Sequence, residues 1–462
     1  MKIARIEIKD FYQFKDVTLD LTYPKGHQKE GKPLDKVCII GQSGTGKTSL
    51  LRLIKWFVSR DTALSEKLKL VIPEGGRVDM DFVASDLVFR LTNQGADLKY
   101  DSFGKVGNGK RKISFEKWEK DLKACLKTCN PVLINYPVDI SHGRGLPKPT
   151  LERLFGTGRW KTEEELRKLE RPHIIDFAFE DIKYIWDYIL KDIIEYRRDV
   201  LYMKTKIADS AREFNASFNI INEESNEFDR WLEQHPDPLP ALTEKCLNPL
   251  ITKLGLRVHQ DITPRSIEEL GFVELESWCG QIIPEDFWST GTWQLIQSII
   301  PLYQLKPANA IILMDEPERS LYPDFQTNVI DIYTQYAPES QFFFATHSPM
   351  VASCFEPWEV IELKFEENNI FVSQDLQYEG ENHVDNYKYD PQYLRWDSNL
   401  LRIFDLGKEG GKKRQEALRI LAELNVRIRK LKAENKLESE IGQKMVDESL
   451  RIKEQLDWRL DK

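Results

Sequence analysis

The sequence predicts an α/β protein with a mixed, mostly parallel sheet, and three observations carry that prediction. An apolar run at residues 37–40 leads into a glycine-rich loop and then into apolar residues at helical spacing. Two more apolar runs, at residues 310–314 and 341–345, end in polar motifs and alternate with helical stretches. This alternation indicates parallel strands connected by helices. The alternating apolar residues of positions 2–21 add two strands before the loop.

The glycine-rich loop has the spacing G-x-x-x-x-G-K-T, with Lys47 and Thr48 as its last two residues. Glycines let backbone N–H groups approach phosphate oxygens, and the following helix N-terminus favours an anion. Lys47 is expected to reach the β- and γ-phosphates, and Thr48 to ligate Mg²⁺. A merely flexible loop is the alternative, which the flanking strand and helix disfavour. The expected nucleotide-binding residues are Gly41, Gln42, Ser43, Gly44, Thr45, Gly46, Lys47, Thr48 and Ser49.

The candidate catalytic residues follow the other two apolar runs. The run ILMDE ends in Asp315 and Glu316, and two adjacent buried carboxylates are costly unless a cation is near. Asp315 is therefore expected to hold Mg²⁺, directly or through water, and Glu316 to polarise an attacking water. His347 comes just after the third run, where it is predicted to contact the γ-phosphate. A helix-capping or core histidine is the structural alternative.

Composition limits the class of protein. The chain has 462 residues, 41% of them hydrophobic, which allows two or three domains or one core with large insertions. A formal net charge of -9 argues against a surface that is basic throughout. No apolar run approaches membrane-spanning length, and the start MKIARIEIKD predicts a strand and not a signal peptide. The six cysteines are scattered; Cys125 and Cys129 lack partners for a zinc site, so reduced thiols and a cytoplasmic location are expected.

Two stretches outside the predicted sheet are helical in pattern. From about residue 171 to 234, apolar residues recur at threes and fours, which fits a helical arm or short coiled coil as well as a helix packed on the core. After residue 411 the charged tail carries two apolar stripes and predicts a helical hairpin. The expected organisation is an N-terminal lobe (1–150), a helical insertion (151–260), a C-terminal lobe (261–380) and a helical extension (381–462).

These motifs together resemble the ABC-type ATPases. DEPERSLYP at residues 315–323 and FFFATHSPMVAS at residues 342–353 are similar to the family that includes OLD nucleases, RecF-type and Rad50-type ATPases, and stand-alone ATPases of anti-phage operons. Typical members have His where this chain has Tyr322. The opening IARIEIKDFYQFKDVTLDL also resembles the start of that family. The likeness covers residues 1–60 and 285–365, and it implies an ABC-type head that uses ATP and Mg²⁺.

The resemblance also implies a signature motif that binds the γ-phosphate held by a second subunit. Residues 288–292, WSTGT, match it best: Ser289 and Gly291 are retained, and Thr292 stands where the family has Gln or Glu. Ser320 and Leu321 match the D-loop. A Q-loop glutamine is implied as well, without a clear position here. The expected assembly is a head-to-tail dimer at minimum, with a higher oligomer possible.

The layout is most similar to the stand-alone ATPases of the Septu and PARIS defence systems. It implies a bacterial anti-phage ATPase that controls a separately encoded effector nuclease and responds to a phage protein or DNA. The stretch after residue 365 shows no glycine-acid motif of a TOPRIM nuclease. The alternative is a RecF-type or Rad50-type repair ATPase acting directly on DNA. A transporter subunit is disfavoured by the long helical insertion. The basic stretch 104–112 is either a solvated turn or a contact for nucleic acid or a phage protein.

Overall fold

The computed structural model describes the strands and helices that form the core. It describes residues 1–59, 73, 75–84, 87–94, 97–103, 132–138, 174–178, 186, 188–212, 218–259, 273–366, 371–404, 411–434 and 436–456. The chain divides into two compact units, Met1–Tyr393 and Leu394–Lys462. The basic stretch 104–112 and the cysteine pair Cys125 and Cys129 lie outside the described residues.

The first unit is built on a large mixed sheet. Its strands are β1 (Lys2–Phe11), β2 (Phe14–Asp20), β3 (Lys36–Gly41), β4 (Arg77–Ala84), β5 (Leu87–Gln94), β6 (Asp97–Phe103), β7 (Leu133–Tyr136), β8 (Ile174–Asp176), β12 (Ile311–Asp315), β13 (Gln341–Ala345), β14 (Val360–Glu366) and β15 (Phe371–Asp375). Within the described residues their order is β6-β5-β4-β1-β2-β15-β14-β3-β13-β12-β7-β8. A small sheet in the order β11-β10-β9 is formed by β9 (Leu256–Val258), β10 (Leu275–Ser277) and β11 (Ile282–Ile283).

Strand direction separates the large sheet into two parts. From β14 through β3, β13, β12 and β7 to β8, every pair is parallel. From β6 through β5, β4 and β1 to β2, every pair is antiparallel. The parallel strands β3 and β13 are almost continuously apolar because both of their faces are covered, whereas β1 and β2 alternate buried and exposed residues. The predicted α/β fold with a mixed, mostly parallel sheet is confirmed.

Helices cover the sheet and form the second unit. They are α1 (Lys47–Val58), α2 (Lys191–Arg212), α3 (Phe218–Gln234), α4 (Pro238–Leu242), α5 (Asn248–Ile251), α6 (Thr290–Leu305), α7 (Pro323–Gln326), α8 (Val329–Tyr336), α9 (Pro349–Ala352), α10 (Trp396–Arg402), α11 (Lys412–Ala433) and α12 (Glu440–Gln455). The helical stretch predicted between the apolar runs 310–314 and 341–345 consists of two helices, α7 and α8. Among the described residues, no helix is long and apolar enough to cross a membrane.

The prediction of continuous helix from about residue 171 is wrong at Ile174–Asp176, which form strand β8 beside β7. Three residues are too few to show the alternation of a strand, so the helical periodicity that follows dominates the pattern. Buried polar contacts fix β8 in place. Asp176 pairs with Lys55 of α1 at 3.0 Å and accepts hydrogen bonds from Asn135 Nδ2 at 2.7 Å and Ala178 N at 3.0 Å.

The helical stretches form hairpins. Helices α2 and α3 run antiparallel: the rings of Tyr196 and Trp231 stack at 5.5 Å, and Lys206, near the end of α2, pairs with Glu224 near the start of α3. In the second unit, α11 and α12 bury Leu421, Leu424, Ile452 and Leu456 against each other. The helical hairpin predicted for the tail is therefore present. The two helices pack their apolar faces against each other, because an amphipathic helix is stabilised by burying its apolar face.

Breaking the Lys55–Asp176 pair should destabilise the fold strongly. Asp176→Ala leaves a buried ammonium group without its carboxylate, which should cost about 3–5 kcal/mol of unfolding free energy. Glu381→Ala breaks the exposed pair with Lys25 and should cost about 0–1 kcal/mol. Urea denaturation of both variants measures the difference. Equal midpoints for the two variants would contradict the assigned role of the buried pair.

Candidate functional site

The site lies at one edge of the sheet, where three neighbouring parallel strands end. In the order β3-β13-β12, the register pairs Ala345 with Ile39 on one side and with Asp315 on the other. The backbone continues this pairing beyond the strands: Thr346 N donates to Ile39 O at 3.1 Å, and Glu316 N donates to Ala345 O at 2.8 Å. Parallel strands place their carboxyl ends at the same edge. The glycine-rich loop, the paired acids and His347 therefore meet there.

The loop needs glycine at two positions because its backbone passes very close to other groups. Gly41 has φ +147°, and a Cβ atom there would lie 2.4 Å from Leu363 O of β14. Gly46 has φ +93°, and its Cβ would lie 2.4 Å from Gln13 Nε2 and 2.6 Å from the ring of Phe14. Both values are shorter than any real contact of a Cβ atom. The turn between β1 and β2 thus supports the loop, a role that the sequence alone did not reveal.

Lys47 is buried at the start of α1 and directs its ammonium group into the loop. Its Nζ donates to Gly41 O at 2.9 Å and to Gln42 O at 3.1 Å. Burial lowers the pKa of Lys47 to about 8, although the carboxylates of Asp315, Glu316 and Glu318 oppose that shift. The ammonium group therefore remains charged at neutral pH. Around it, Gln42, Ser43 and Gly44 are exposed, Thr45 is buried, and Ser49 is half-buried.

Thr48 and Asp315 place two oxygen ligands side by side. The Thr48 hydroxyl donates to Asp315 Oδ2 at 2.8 Å, across 267 residues of sequence. Burial and the neighbouring Glu316 raise the pKa of Asp315, and the Thr48 hydrogen bond and the charges of Lys47 and Arg52 offset that shift only in part. A hydroxyl and a carboxylate oxygen at this spacing are ligands that Mg²⁺ prefers. The residues present therefore fit a magnesium ion held between Thr48 and Asp315.

Glu316 and His347 both interact electrostatically with Lys47. Glu316 has φ +49°, an uncommon backbone conformation for a residue with a side chain. His347 is exposed, and its pKa is lowered by partial burial and by the charge of Lys47, with Glu316 acting in the opposite direction. A neutral imidazole next to Lys47 can still donate one hydrogen bond to an anion. The structure brings Lys47, Asp315, Glu316 and His347 into one electrostatic cluster.

The candidate signature lies at the start of α6, against the turn that follows Glu316. Ser289 caps α6, accepting a hydrogen bond from Thr292 N at 3.1 Å, and remains exposed. A Cβ atom on Gly291 would lie 2.5 Å from Ser320 O, so only glycine allows this contact with the turn after Glu316. Among the described residues, the hydrogen bonds of Ser289 stay on its own helix and none reaches residues 41–49. Within the described part of the chain, Ser289 is thus not hydrogen-bonded to the glycine-rich loop.

Several polar side chains at the site were not predicted from the sequence. Gln294 Nε2 of α6 donates to Glu316 O at 3.2 Å and to Pro317 O at 2.9 Å. Gln326 joins the same turn to Ser348, donating to Leu321 O at 2.9 Å and accepting from Ser348 Oγ at 2.6 Å. Glu318 is buried and accepts a hydrogen bond from His347 N. Of the three, only Glu318 could have been recognised from the sequence, because it is the third acidic residue of the motif DEPE.

Comparison with known proteins gives one family match. The family model described as "AAA domain, putative AbiEii toxin, Type IV TA system" matches residues 36–353, which include every residue of the site. No curated protein matches the chain.

Solved structures of Smc heads are similar at low identity. The Smc head bound to the C-winged helix domain of ScpA has a TM-score of 0.42 and 14% identity, covering 81% of this chain and 98% of that chain. The head with an extended coiled coil bound to the C-terminal domain of ScpA, derived from Pyrococcus furiosus, gives 0.40 and 13%, covering 81% and 96%. The SMC head domain from Thermotoga maritima gives 0.38 and 10%, covering 81% and 99%.

Two substitutions should separate nucleotide binding from hydrolysis at this site. Lys47→Ala removes the loop's cation and should weaken ATP binding, measured by calorimetry. Glu316→Gln should bind ATP normally and hydrolyse it about 10²–10⁴ times more slowly, because a group that polarises water is lost. Asp324→Asn, at an exposed acid of α7, is the matched control and should hydrolyse ATP at the wild-type rate. Wild-type turnover by the Glu316→Gln protein is the result that this assignment does not allow.

Proposed function

We propose that this chain, which belongs to the AAA-domain family whose model matches residues 36–353, is an ATPase whose nucleotide is enclosed between two copies of itself. One observation carries the proposal: Lys47, the Thr48–Asp315 pair, Glu316 and His347 converge at the ends of three adjacent parallel strands. That set contains the parts that phosphoryl transfer to water requires, namely a phosphate cradle, oxygen ligands for a metal ion and a carboxylate near the reacting group.

Each residue has a distinct part in the proposed hydrolysis. The amides of residues 41–48 and the Lys47 ammonium hold the β- and γ-phosphates. The hydrogen bonds from Lys47 to the carbonyl oxygens of the loop are then replaced by hydrogen bonds to phosphate oxygens. Thr48 and Asp315 would hold Mg²⁺, which would supply positive charge against the phosphates. Glu316 orients a water whose oxygen bonds to the γ-phosphorus, while the bond from that phosphorus to the bridging oxygen of ADP breaks. The water's proton leaves through the carboxylate, and the products are ADP and inorganic phosphate.

The second copy is inferred from the placement of the signature. Ser289 and Gly291 stand at the exposed start of α6, where backbone N–H groups favour an anion. Two large apolar side chains flank them: Phe287 is 80% exposed and Tyr322 is 71% exposed. Exposed apolar residues beside an anion-binding helix start fit a protein interface better than open solvent. In an ABC-type arrangement, each copy would place its signature against the γ-phosphate held by the other.

We further propose that ATP-dependent assembly controls a separately encoded effector nuclease in a bacterial anti-phage system. The family description, which names a toxin of a toxin–antitoxin system, supports a role in such two-component operons. The net charge of -9 gives no support to a chain that coats DNA. Hydrolysis stimulated by DNA, with salt-sensitive binding, would instead favour the repair function.

Mixing two inactive variants tests the composite site. Lys47→Ala removes the phosphate cradle of its own chain, and Ser289→Arg blocks the signature that serves the other chain. A mixed dimer holds one site with both defects and one site with neither, so mixing should restore ATP hydrolysis that each variant lacks alone. The measurement is phosphate release at equal total protein. If the mixture is as inactive as its components, ATP is not shared between copies in this way.

The second unit is the proposed docking element for a partner. Its hairpin buries four apolar side chains fully and others in part, but it leaves Val426 and Ile441 exposed. Val426→Asp with Ile441→Asp should abolish co-purification with the neighbouring gene's nuclease, or lower the oligomer mass in light scattering, because two apolar contacts are lost. ATP hydrolysis should not change. Tyr202→Asp, at an exposed position of α2, is the matched control.

If the double variant keeps both its partner and its mass, deleting residues 412–462 decides the question. A deleted protein that still assembles, binds the nuclease and hydrolyses ATP would show that the second unit is not the docking element.

A further inference from the structure

The turn between Asp315 and Leu321 has a backbone that its surroundings must hold. Glu316 has φ +49° and Ser320 has φ +62°, and neither is a glycine. Residues with side chains adopt such conformations at a cost and keep them only where contacts around them fix the chain. Glu316 is also the residue that orients water in the proposed reaction. The contacts that fix this turn therefore bear on where that carboxylate points.

Glu318 joins this turn to the segment that carries His347. It is only 8% exposed. Its Oε1 accepts a hydrogen bond from Thr346 Oγ1 and another from His347 N at 3.3 Å. Thr346 is itself tied to the strand before the phosphate loop, because its N–H donates to Ile39 O at 3.1 Å. One carboxylate oxygen thus connects the turn after β12 with the segment after β13, which is bonded to β3.

A glutamate is a costly residue at this place. Burial raises the pKa of Glu318 to about 7, and within the described residues its Oε2 is buried without a hydrogen-bond partner. Glu359 is a useful contrast: it is equally buried, with its pKa also raised to about 7, but it has Lys36 at 3.5 Å. Packing alone does not require a carboxylate at position 318, since an apolar side chain would fill the space without the cost of desolvation.

We propose that Glu318 is a positioning residue for ATP hydrolysis. By accepting hydrogen bonds from Thr346 Oγ1 and His347 N, it fixes the position of His347, the residue predicted to contact the γ-phosphate, relative to Glu316. This inference rests on the proposed ATPase function. The carboxylate does not touch nucleotide or water. It acts through the backbone of His347 on one side and through the turn that holds Glu316 on the other. A small displacement of either group from the reacting atoms lowers the rate without weakening ATP binding.

The test uses two substitutions at the same position. Glu318→Ala removes the acceptor oxygen and should lower kcat by about 10²-fold, with the Kd for ATP nearly unchanged, because the phosphate cradle at residues 41–48 stays intact. Glu318→Gln keeps an acceptor oxygen and should restore kcat to within a few-fold of wild type. Glu359→Ala is the control for the loss of a buried glutamate, and it should keep the wild-type kcat.

A double-mutant cycle identifies the bond itself. Thr346→Val removes the hydroxyl donor at nearly constant volume, and it should lower kcat in the same direction. The loss of kcat in the double variant with Glu318→Ala should be smaller than the product of the two single losses, because both substitutions break the bond between Thr346 Oγ1 and Glu318 Oε1, whereas Thr346→Val alone also removes the acceptor of Ser348 N. Unfolding midpoints of all variants show whether any of them has lost its fold.

The outcomes are distinct. Wild-type kcat in Glu318→Ala, equal losses in Glu318→Ala and Glu318→Gln, or an equal loss in Glu359→Ala would each overturn the positioning role and leave the ATPase function standing. A wild-type protein that binds but never hydrolyses ATP would overturn the proposed function and this inference together. A Glu318→Ala defect that appears in the Kd instead of kcat would assign Glu318 to the phosphate cradle and overturn the positioning role.

Discussion

The parallel pairing of β13 with both β3 and β12 is the constraint on which the site depends. It brings Thr48 within 2.8 Å of Asp315, although 267 residues separate them in sequence. Residues 341–345 of β13 are all buried, and Gln341 fixes the start of the strand: its side chain accepts a hydrogen bond from Ile3 N at 2.6 Å and donates to Ile3 O at 2.9 Å and Leu34 O at 3.0 Å. A shift by one residue would move Ala345 away from Ile39 and Asp315, and the loop, the acids and His347 would no longer share one edge.

Charge explains why this edge favours a nucleotide with a metal ion. Lys47 has a lowered pKa and Asp315 a raised one, so burial opposes the ionised form of both groups in the bare protein. A polyphosphate would give Lys47 a partner of opposite charge, and a divalent cation would do the same for Asp315. The two ligands compensate different groups, and together they relieve the electrostatic cost of the site. This complementarity supports the proposed use of ATP with Mg²⁺.

The sequence predicted the parts of this site that have a fixed local pattern. The loop at residues 41–48, the acids after β12 and His347 after β13 could all be located, because each follows an apolar strand in a recognisable way. The supporting contacts could not, since they join residues distant in sequence through single side chains. Nothing local marks Gln13 as the neighbour of Gly46, or Gln294 as the donor to Glu316 O. The strand β8 was missed for a related reason: its place depends on the long-range pair between Asp176 and Lys55.

In the proposed ATPase, ATP joins two copies through the exposed signature of each. The most direct measurement is the mass of the wild-type protein in light scattering, with and without Mg²⁺ and a non-hydrolysable ATP analogue, at matched protein concentrations. We expect the analogue to double the mass of the species that is present without it, or to stabilise an existing dimer against dilution. A Ser289→Arg protein should bind the analogue without this change. A wild-type protein that binds the analogue fully while its mass and its dissociation on dilution stay the same would show that ATP does not join two copies.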